Sequence, residues 1–89
     1  MGDWAVVVCN NLDSDIEVIL CDTYENACRY LEDEWTDHMQ AEMTENYPCL
    51  EVNRSFQKKE YAQIMWKNND TPIKTWKVVK TGRPPTRYL

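Results

Sequence analysis

Four cysteines and one histidine give this chain of 89 residues its main capacity for metal or covalent chemistry. Zinc sites usually take their thiolates from pairs of cysteines that lie only a few residues apart. The candidate ligands here contain no CxxC pair, and we therefore predict no metal site, no cofactor and four free thiols that pack as small apolar groups. Those candidates are Cys9, Cys21, Cys28, His38 and Cys49.

Catalysis requires a nucleophile with a base, paired carboxylates in a cleft, or a metal. His38 lies four residues after Glu34, a spacing that favours an ion pair on a helix surface. The two glycines, Gly2 and Gly82, stand at opposite ends of the chain, so they form no phosphate-binding loop. We predict that the protein is not an enzyme.

Carboxylates dominate one stretch, from Asp22 to Asn46, whose apolar residues recur at steps of three and four. This periodicity predicts a long amphipathic helix. Asp22 and Glu25 fit a capping box at its start, whereas Asn46 and Pro48 favour its end. The predicted core stripe consists of Tyr24, Ala27, Cys28, Leu31, Trp35, Met39 and Met43.

The solvent side of this helix is strongly acidic, with Arg29 as the one cation in the segment. Like charges four residues apart, as at Asp33 and Asp37, cost about 0.2–0.5 kcal/mol. Helix stability therefore does not account for the acidity, and we predict a partner-binding surface. The alternative is that the charge only keeps the protein soluble. This acidic helix face consists of Glu25, Glu32, Asp33, Asp37 and Glu45.

Four segments rich in β-branched and aromatic residues surround the helix and predict strands. Two precede it as a hairpin, Trp4 to Cys9 and Ile16 to Cys21, and two follow it, Tyr61 to Trp66 and Ile73 to Lys80. The order β-β-α-β-β predicts an α+β fold of two layers. Its sheet has four strands, antiparallel or mixed, with the helix packed on one face.

The length of the chain is that of one domain. Residues 1–80 are predicted to form it, and residues 81–89 an extended basic tail. No secretory signal opens the sequence, and no apolar run has the length of a membrane span. We therefore expect a location in the cytoplasm.

The helix covers one face of the predicted sheet and leaves the other, the open sheet face, without a cover. Alternation along the strands assigns side chains to this face that are too apolar for contact with water. An alternative function is therefore a structural or regulatory homodimer that associates through this face. The residues assigned to it include Ile19, Tyr61, Met65, Lys77 and Val79.

Charge is divided along the chain. Residues 1–51 contain thirteen acidic residues and one basic residue, whereas residues 52–89 contain two acidic and nine basic residues. Cations interleaved with aromatic side chains in the second hairpin and tail are typical of nucleic-acid binding, which is a further alternative. The net charge of −5 and the predicted burial of Trp66 and Trp76 disfavour it.

In its size, its acidity and its scarcity of glycine, the chain resembles small proteins encoded by phages and other mobile elements. The segments that carry this resemblance are TYENACRYLEDEW and YAQIMW followed by KTWKVV, and it is one of style rather than of a motif. Some such proteins inhibit host defences, of the anti-CRISPR or anti-restriction type, and some act as DNA mimics. The resemblance implies an inhibitor that binds a host nucleic-acid-handling protein through the acidic helix face, in the cytoplasm of a bacterial host.

Overall fold

The computed structural model describes residues 3–81, so residues 82–89 of the predicted tail lie outside the described part of the chain. The α+β class is confirmed, with one helix packed on an antiparallel sheet. Within residues 3–81 the sheet has five strands rather than the four predicted, in the order β2-β1-β5-β4-β3. The elements in chain order are β1 (Trp4–Asn10), β2 (Asp15–Cys21), α1 (Tyr24–Glu45), a 3-10 turn (Val52–Arg54), β3 (Phe56–Gln57), β4 (Tyr61–Ile64) and β5 (Lys74–Lys80).

The predicted hairpin is formed by β1 and β2. Its loop turns tightly because Asn10 Oδ1 accepts a hydrogen bond of 3.1 Å from the Leu12 N–H, and Ser14 takes a positive φ of 56°. The register that results places Val6 opposite Ile19 and runs unbroken from the loop to the end of both strands. Val6 is buried beneath the helix, so Ile19 lies on the helix side of the sheet.

The prediction that Ile19 lies on the open sheet face is therefore wrong. The apolar residues of β2 do not alternate cleanly, since Ile19 stands between Val18 and Leu20, and the hairpin register decides which set faces the helix. The residues that project from the open sheet face are instead Ile16, Val18 and Leu20, which we call the β2 aliphatic row. Tyr61, Lys77 and Val79 do lie on that face.

Met65, also assigned to the open sheet face by the sequence pattern, lies just beyond the end of β4 and is buried, so it offers no accessible surface there. Its side chain is 4% exposed. Its backbone N–H donates to Ser55 Oγ at 2.9 Å, and its carbonyl accepts from the Glu51 N–H at 2.9 Å. Met65 is a core residue that joins the end of β4 to the 3-10 turn.

Helix α1 has nearly the predicted length but a different cap. Thr23 Oγ1, not the Asp22 carboxylate, accepts from the Asn26 N–H at 3.0 Å. The helix ends at Glu45, and its C-cap is Asn46, as predicted, with a φ of −128° rather than the left-handed conformation in which many helices end. Met43 is half exposed and does not belong to the core stripe, and the inward-facing residue near this end is Glu42.

The core lies between α1 and the sheet. Trp76, at the centre of β5, has no exposed surface, and Leu31 of the helix is equally buried. Burial of a large apolar side chain stabilises a fold by about 1.5–3 kcal/mol. Around these two pack Val6, Val8, Ala27, Met39, Leu50, Ala62, Ile64, Ile73 and Val78.

Candidate protein-binding surfaces

Helix α1 is attached to the sheet by hydrogen bonds along nearly its whole length. At its start the Tyr24 hydroxyl donates to Glu60 Oε2 at 2.6 Å, and near its middle the Trp35 indole N–H donates to the Gln63 carbonyl at 3.0 Å. Towards its end Glu42 accepts from the indole N–H of Trp66. The outer side of the helix is therefore presented on a firmly held element.

His38 is part of this attachment. Its Nδ1 lies 2.8 Å from the Glu34 carbonyl, which only accepts, so Nδ1 carries the proton and Nε2 accepts from Lys74 Nζ at 2.9 Å. The ring packs edge-on against Trp76 at a centroid distance of 5.3 Å. The predicted ion pair with the Glu34 side chain is wrong, and both ring nitrogens are used to join helix and sheet.

A cavity of about 250 Å³ beside His38 brings Lys74 and Glu42 into the same lining. Lys74 donates to His38, and Glu42 accepts from Trp66 and from the Asn46 side-chain amide at 2.9 Å. The ionisable groups of this cavity are thus committed to contacts within the fold. They do not form a nucleophile with a free base.

A second concavity, of about 480 Å³, lies between the β1–β2 loop and residues 68–73. Asp70 is the one ionisable side chain in its lining. Asn11 closes its floor by donating from its side chain to the Pro72 carbonyl at 2.7 Å and from its backbone to Ile73. This groove is a junction of two polar loops.

The four cysteines are free thiols, three of them half-buried and Cys49 exposed. Within residues 3–81 no group of three His, Cys, Asp or Glu side chains is placed to hold a metal ion. Burial, with the nearby Asp22 carboxylate, raises the pKa of the Cys21 thiol. A raised pKa lowers the thiolate fraction, so Cys21 is less reactive than an ordinary cysteine thiol.

Every residue of the acidic helix face is exposed to solvent. In the described part of the chain none of its carboxylates has an ion pair or a hydrogen bond. At 3.6 residues per turn, Asp33 and Asp37 project from the middle of the outer side, opposite Leu31 and Trp35. Glu25 and Glu32 share one flank of the helix, and Glu45 lies at its end towards the other flank.

The lysines of the protein do not neutralise this face, because several are held elsewhere. Four of them lie over aromatic rings, with distances of 5.3–5.9 Å from the ammonium nitrogen to the ring centroid. Such contacts at exposed sites contribute about 0.5–1 kcal/mol each. The four pairs are Lys58 with Phe56, Lys59 with Tyr24, Lys74 with Trp76, and Lys80 with Trp4.

The open sheet face has two unlike halves. In the half formed by β3 and β4, the ring of Phe56 packs at 6.0 Å from that of Tyr61, whose hydroxyl donates to Gln63 Oε1 at 2.8 Å. The Gln63 amide in turn donates to the Arg54 carbonyl at 2.7 Å. The side chains of this half thus contact and hydrogen-bond to groups within the same half.

No described residue covers the half formed by β2 in this way. Ile16, Val18 and Leu20 are 69%, 55% and 67% exposed, in a row along one strand. Three large aliphatic side chains on adjacent positions of one strand face form an apolar patch of the kind that marks an interaction site. This is the surface that sequence reasoning missed, and the signal available was the i, i+2, i+4 spacing of the three residues.

None of the helices formed by residues 3–81 is long and apolar enough to cross a membrane. Comparisons of the chain with protein-family models, with curated proteins and with solved structures find no match. The functional assignment therefore depends on the surfaces described above.

Proposed function

We propose that this protein is a non-catalytic binding module that inserts its acidic helix face into a basic groove of a partner protein. The observation that supports it is the unpaired state of the face. Eight lysines and arginines lie between residues 3 and 81, yet none forms a salt bridge with these five carboxylates. The negative charge is thus available to a partner.

The geometry suits a partner that normally binds a nucleic-acid backbone. Carboxylates four residues apart on a helix, such as Asp33 and Asp37, lie about 6 Å apart along its axis. Because α1 is attached to the sheet near both ends and at its middle, the row is preorganised and loses little entropy on binding. Such a row acts as a substitute for phosphates and steers association electrostatically.

Inhibition of a nucleic-acid-handling defence protein, in a bacterial cytoplasm, is the biological role we propose for this binding. Direct nucleic-acid binding is a weaker explanation of the described residues. Trp76 has no exposed surface and the indole N–H of Trp66 is bonded to Glu42, so neither is free to serve as a stacking platform.

The proposal is tested with two triple variants that each remove three negative charges. One is Glu32→Gln/Asp33→Asn/Asp37→Asn on the acidic helix face. The matched control is Asp3→Asn/Asp13→Asn/Asp70→Asn, at exposed positions away from the helix. Partners captured by the tagged wild-type protein from a bacterial lysate are identified by mass spectrometry and then retested in purified form.

We expect a purified partner to lose binding to the helix variant and to keep binding to the control variant. Duplex DNA should displace the wild-type protein, since both would occupy one groove, and added salt should weaken the complex. A partner that binds the helix variant as tightly as the wild type, or that DNA leaves in place, contradicts the proposal.

A further inference from the structure

The two edges of the sheet differ in length. On one side the sheet ends at β3, which has two residues, and on the other at β2, which has seven. A strand of that length is about 23 Å long at 3.3 Å per residue. Among the described strands only β1 pairs with β2, so the outer edge of β2 presents backbone donors and acceptors without a strand partner.

Strand β2 has only part of the usual protection of an exposed edge. Natural edge strands avoid pairing through charged side chains, above all lysine, and through proline, a β-bulge or very short length. The sequence DIEVILC contains neither lysine nor proline, and its register with β1 has no bulge. Its charges, Asp15 and Glu17, are both on the helix side, so the β2 aliphatic row carries no charge of its own.

The charges of β2 select one way in which it can pair with itself. Antiparallel strands place residues of the same face opposite each other. Pairing centred on Glu17 would oppose two glutamates, pairing centred on Ile16 would oppose Asp15 and Glu17, and parallel pairing in register would align like charges. Like charges directly opposite are destabilising.

Pairing centred on Val18 avoids all of these conflicts. It places Val18 opposite Val18 of the second copy and Ile16 opposite Leu20, so the two aliphatic rows become one. On the helix side it places Glu17 opposite Ile19 and Asp15 opposite Cys21, so each carboxylate faces a neutral residue. Centring on Ile19 would instead oppose Ile16 and Asp22.

We propose that the chain forms a homodimer in which β2 pairs antiparallel with β2 of a second copy, with Val18 on the twofold axis. The axis runs perpendicular to the sheet, because edge pairing continues each sheet face into the same face of the second copy. The dimer has one continuous sheet of ten strands, twice the five formed by residues 3–81 of one chain. Both helices lie on one side of it. This inference does not depend on the function of the acidic helix face.

The test measures mass by sedimentation velocity and amide protection by hydrogen exchange, over a wide range of protein concentrations. The wild-type protein should shift with concentration from 10.6 kDa towards twice that mass. Amides of β2 should gain protection as the dimer forms, because the pairing uses their N–H groups. Val18→Lys places two ammonium groups at the twofold axis and should weaken dimerisation at least about tenfold.

Phe56→Lys is the matched control, since it adds the same charge to the open sheet face at the opposite edge, where Phe56 is 37% exposed. It should dimerise as the wild type does. Circular dichroism checks that both variants remain folded, and Leu20→Lys replaces Val18→Lys if that variant does not. A chain that stays monomeric at every concentration overturns the proposal. So does a dimer that Phe56→Lys disrupts and Val18→Lys does not, or one that leaves the exchange of β2 unchanged.

Discussion

The acidic helix face and the β2 aliphatic row are both exposed, but contact with water is favourable for the first and unfavourable for the second. Carboxylates are well solvated, so a helix can carry them on its outer side at small cost. Removal of large aliphatic side chains from water lowers the free energy. The first surface thus attracts a partner over a distance, whereas the second holds a partner only in contact.

This difference shows that the two surfaces suit different kinds of partner. Attraction by the acidic face is screened by salt, with a Debye length of about 10 Å at 0.1 M and about 3 Å at 1 M. Association through the aliphatic row is not screened, and salts such as sulfate strengthen it. The two associations that we propose, of the acidic face with a basic protein and of the aliphatic row with a second copy of the chain, should therefore respond to salt in opposite ways.

The largest expected effect on stability comes from making the same substitution, Leu→Ala, at a buried position of α1 and at an exposed position of β2. Leu31 is fully buried and Leu20 is 67% exposed. Leu31→Ala should lower the free energy of unfolding by about 2–5 kcal/mol, and Leu20→Ala by less than about 0.5 kcal/mol. Urea denaturation at low protein concentration, where the chain is monomeric, measures both. Equal losses would mean that β2 is already buried within the monomer.

Much of the fold was predictable because its periodic signals are long. The core stripe of α1 repeats over about four turns, and both seven-residue strands, β1 and β5, contain β-branched and aromatic residues in sequence. Spacing groups Val18 with Leu20 on one face of β2, but it does not tell which face packs against the helix, because Ile19 is apolar too and the hairpin register decides. The two-residue strand β3 is too short to leave a pattern.

A smaller effect is expected from comparing a carboxylate on the inner side of α1 with one on the outer side. Glu42 accepts hydrogen bonds from Trp66 and Asn46, whereas Glu45 has no partner among residues 3–81. Glu42→Gln leaves one acceptor for two donors and should cost about 1–2 kcal/mol. Glu45→Gln, the matched control, should leave the urea midpoint unchanged. A midpoint that moves equally in both variants would show that Glu42 is not structural.

The inward contacts of α1 were harder to predict than its charge. The exposure of Glu32, Asp33 and Asp37 follows from helical periodicity alone. Sequence gives no indication that Glu42 turns towards Trp66, since that contact depends on where the chain leaves β4. The same holds for His38, whose partner Lys74 is 36 positions away.

Alkaline pH tests the attachment at the start of the helix. The hydrogen bond to Glu60 raises the pKa of Tyr24 above its ordinary value of 10.0, and burial is the main cause of the raised pKa of Tyr30 and of Tyr61. Above pH 10 the unfolded chain binds fewer protons than the folded one, so stability falls as pH rises. Tyr24→Phe should make the fall of the melting temperature above pH 10 shallower. An identical profile in that variant would remove Tyr24 from the explanation.

The smallest expected effect, and the one that separates the two surfaces most directly, is a gain of stability. Asp33 and Asp37 lie at i and i+4 with like charge and have no partner among residues 3–81. Asp33→Asn/Asp37→Asn should therefore raise the free energy of unfolding by about 0.2–0.5 kcal/mol at low salt, because the repulsion is removed. The gain should disappear near 1 M salt, where the repulsion is already screened.

Asp3→Asn/Asp70→Asn is the matched control, with the same change of charge at exposed positions that are distant in sequence. It should leave the urea midpoint of the wild type unchanged at either salt concentration.

Val18→Thr makes the comparison with the sheet, because it reduces the apolar surface of the β2 aliphatic row without adding charge. Its effect on dimerisation should persist in 1 M salt. If the helix variant gained no stability at low salt, the like charges would have no measurable cost, and the inference that helix stability does not account for the acidity would be lost.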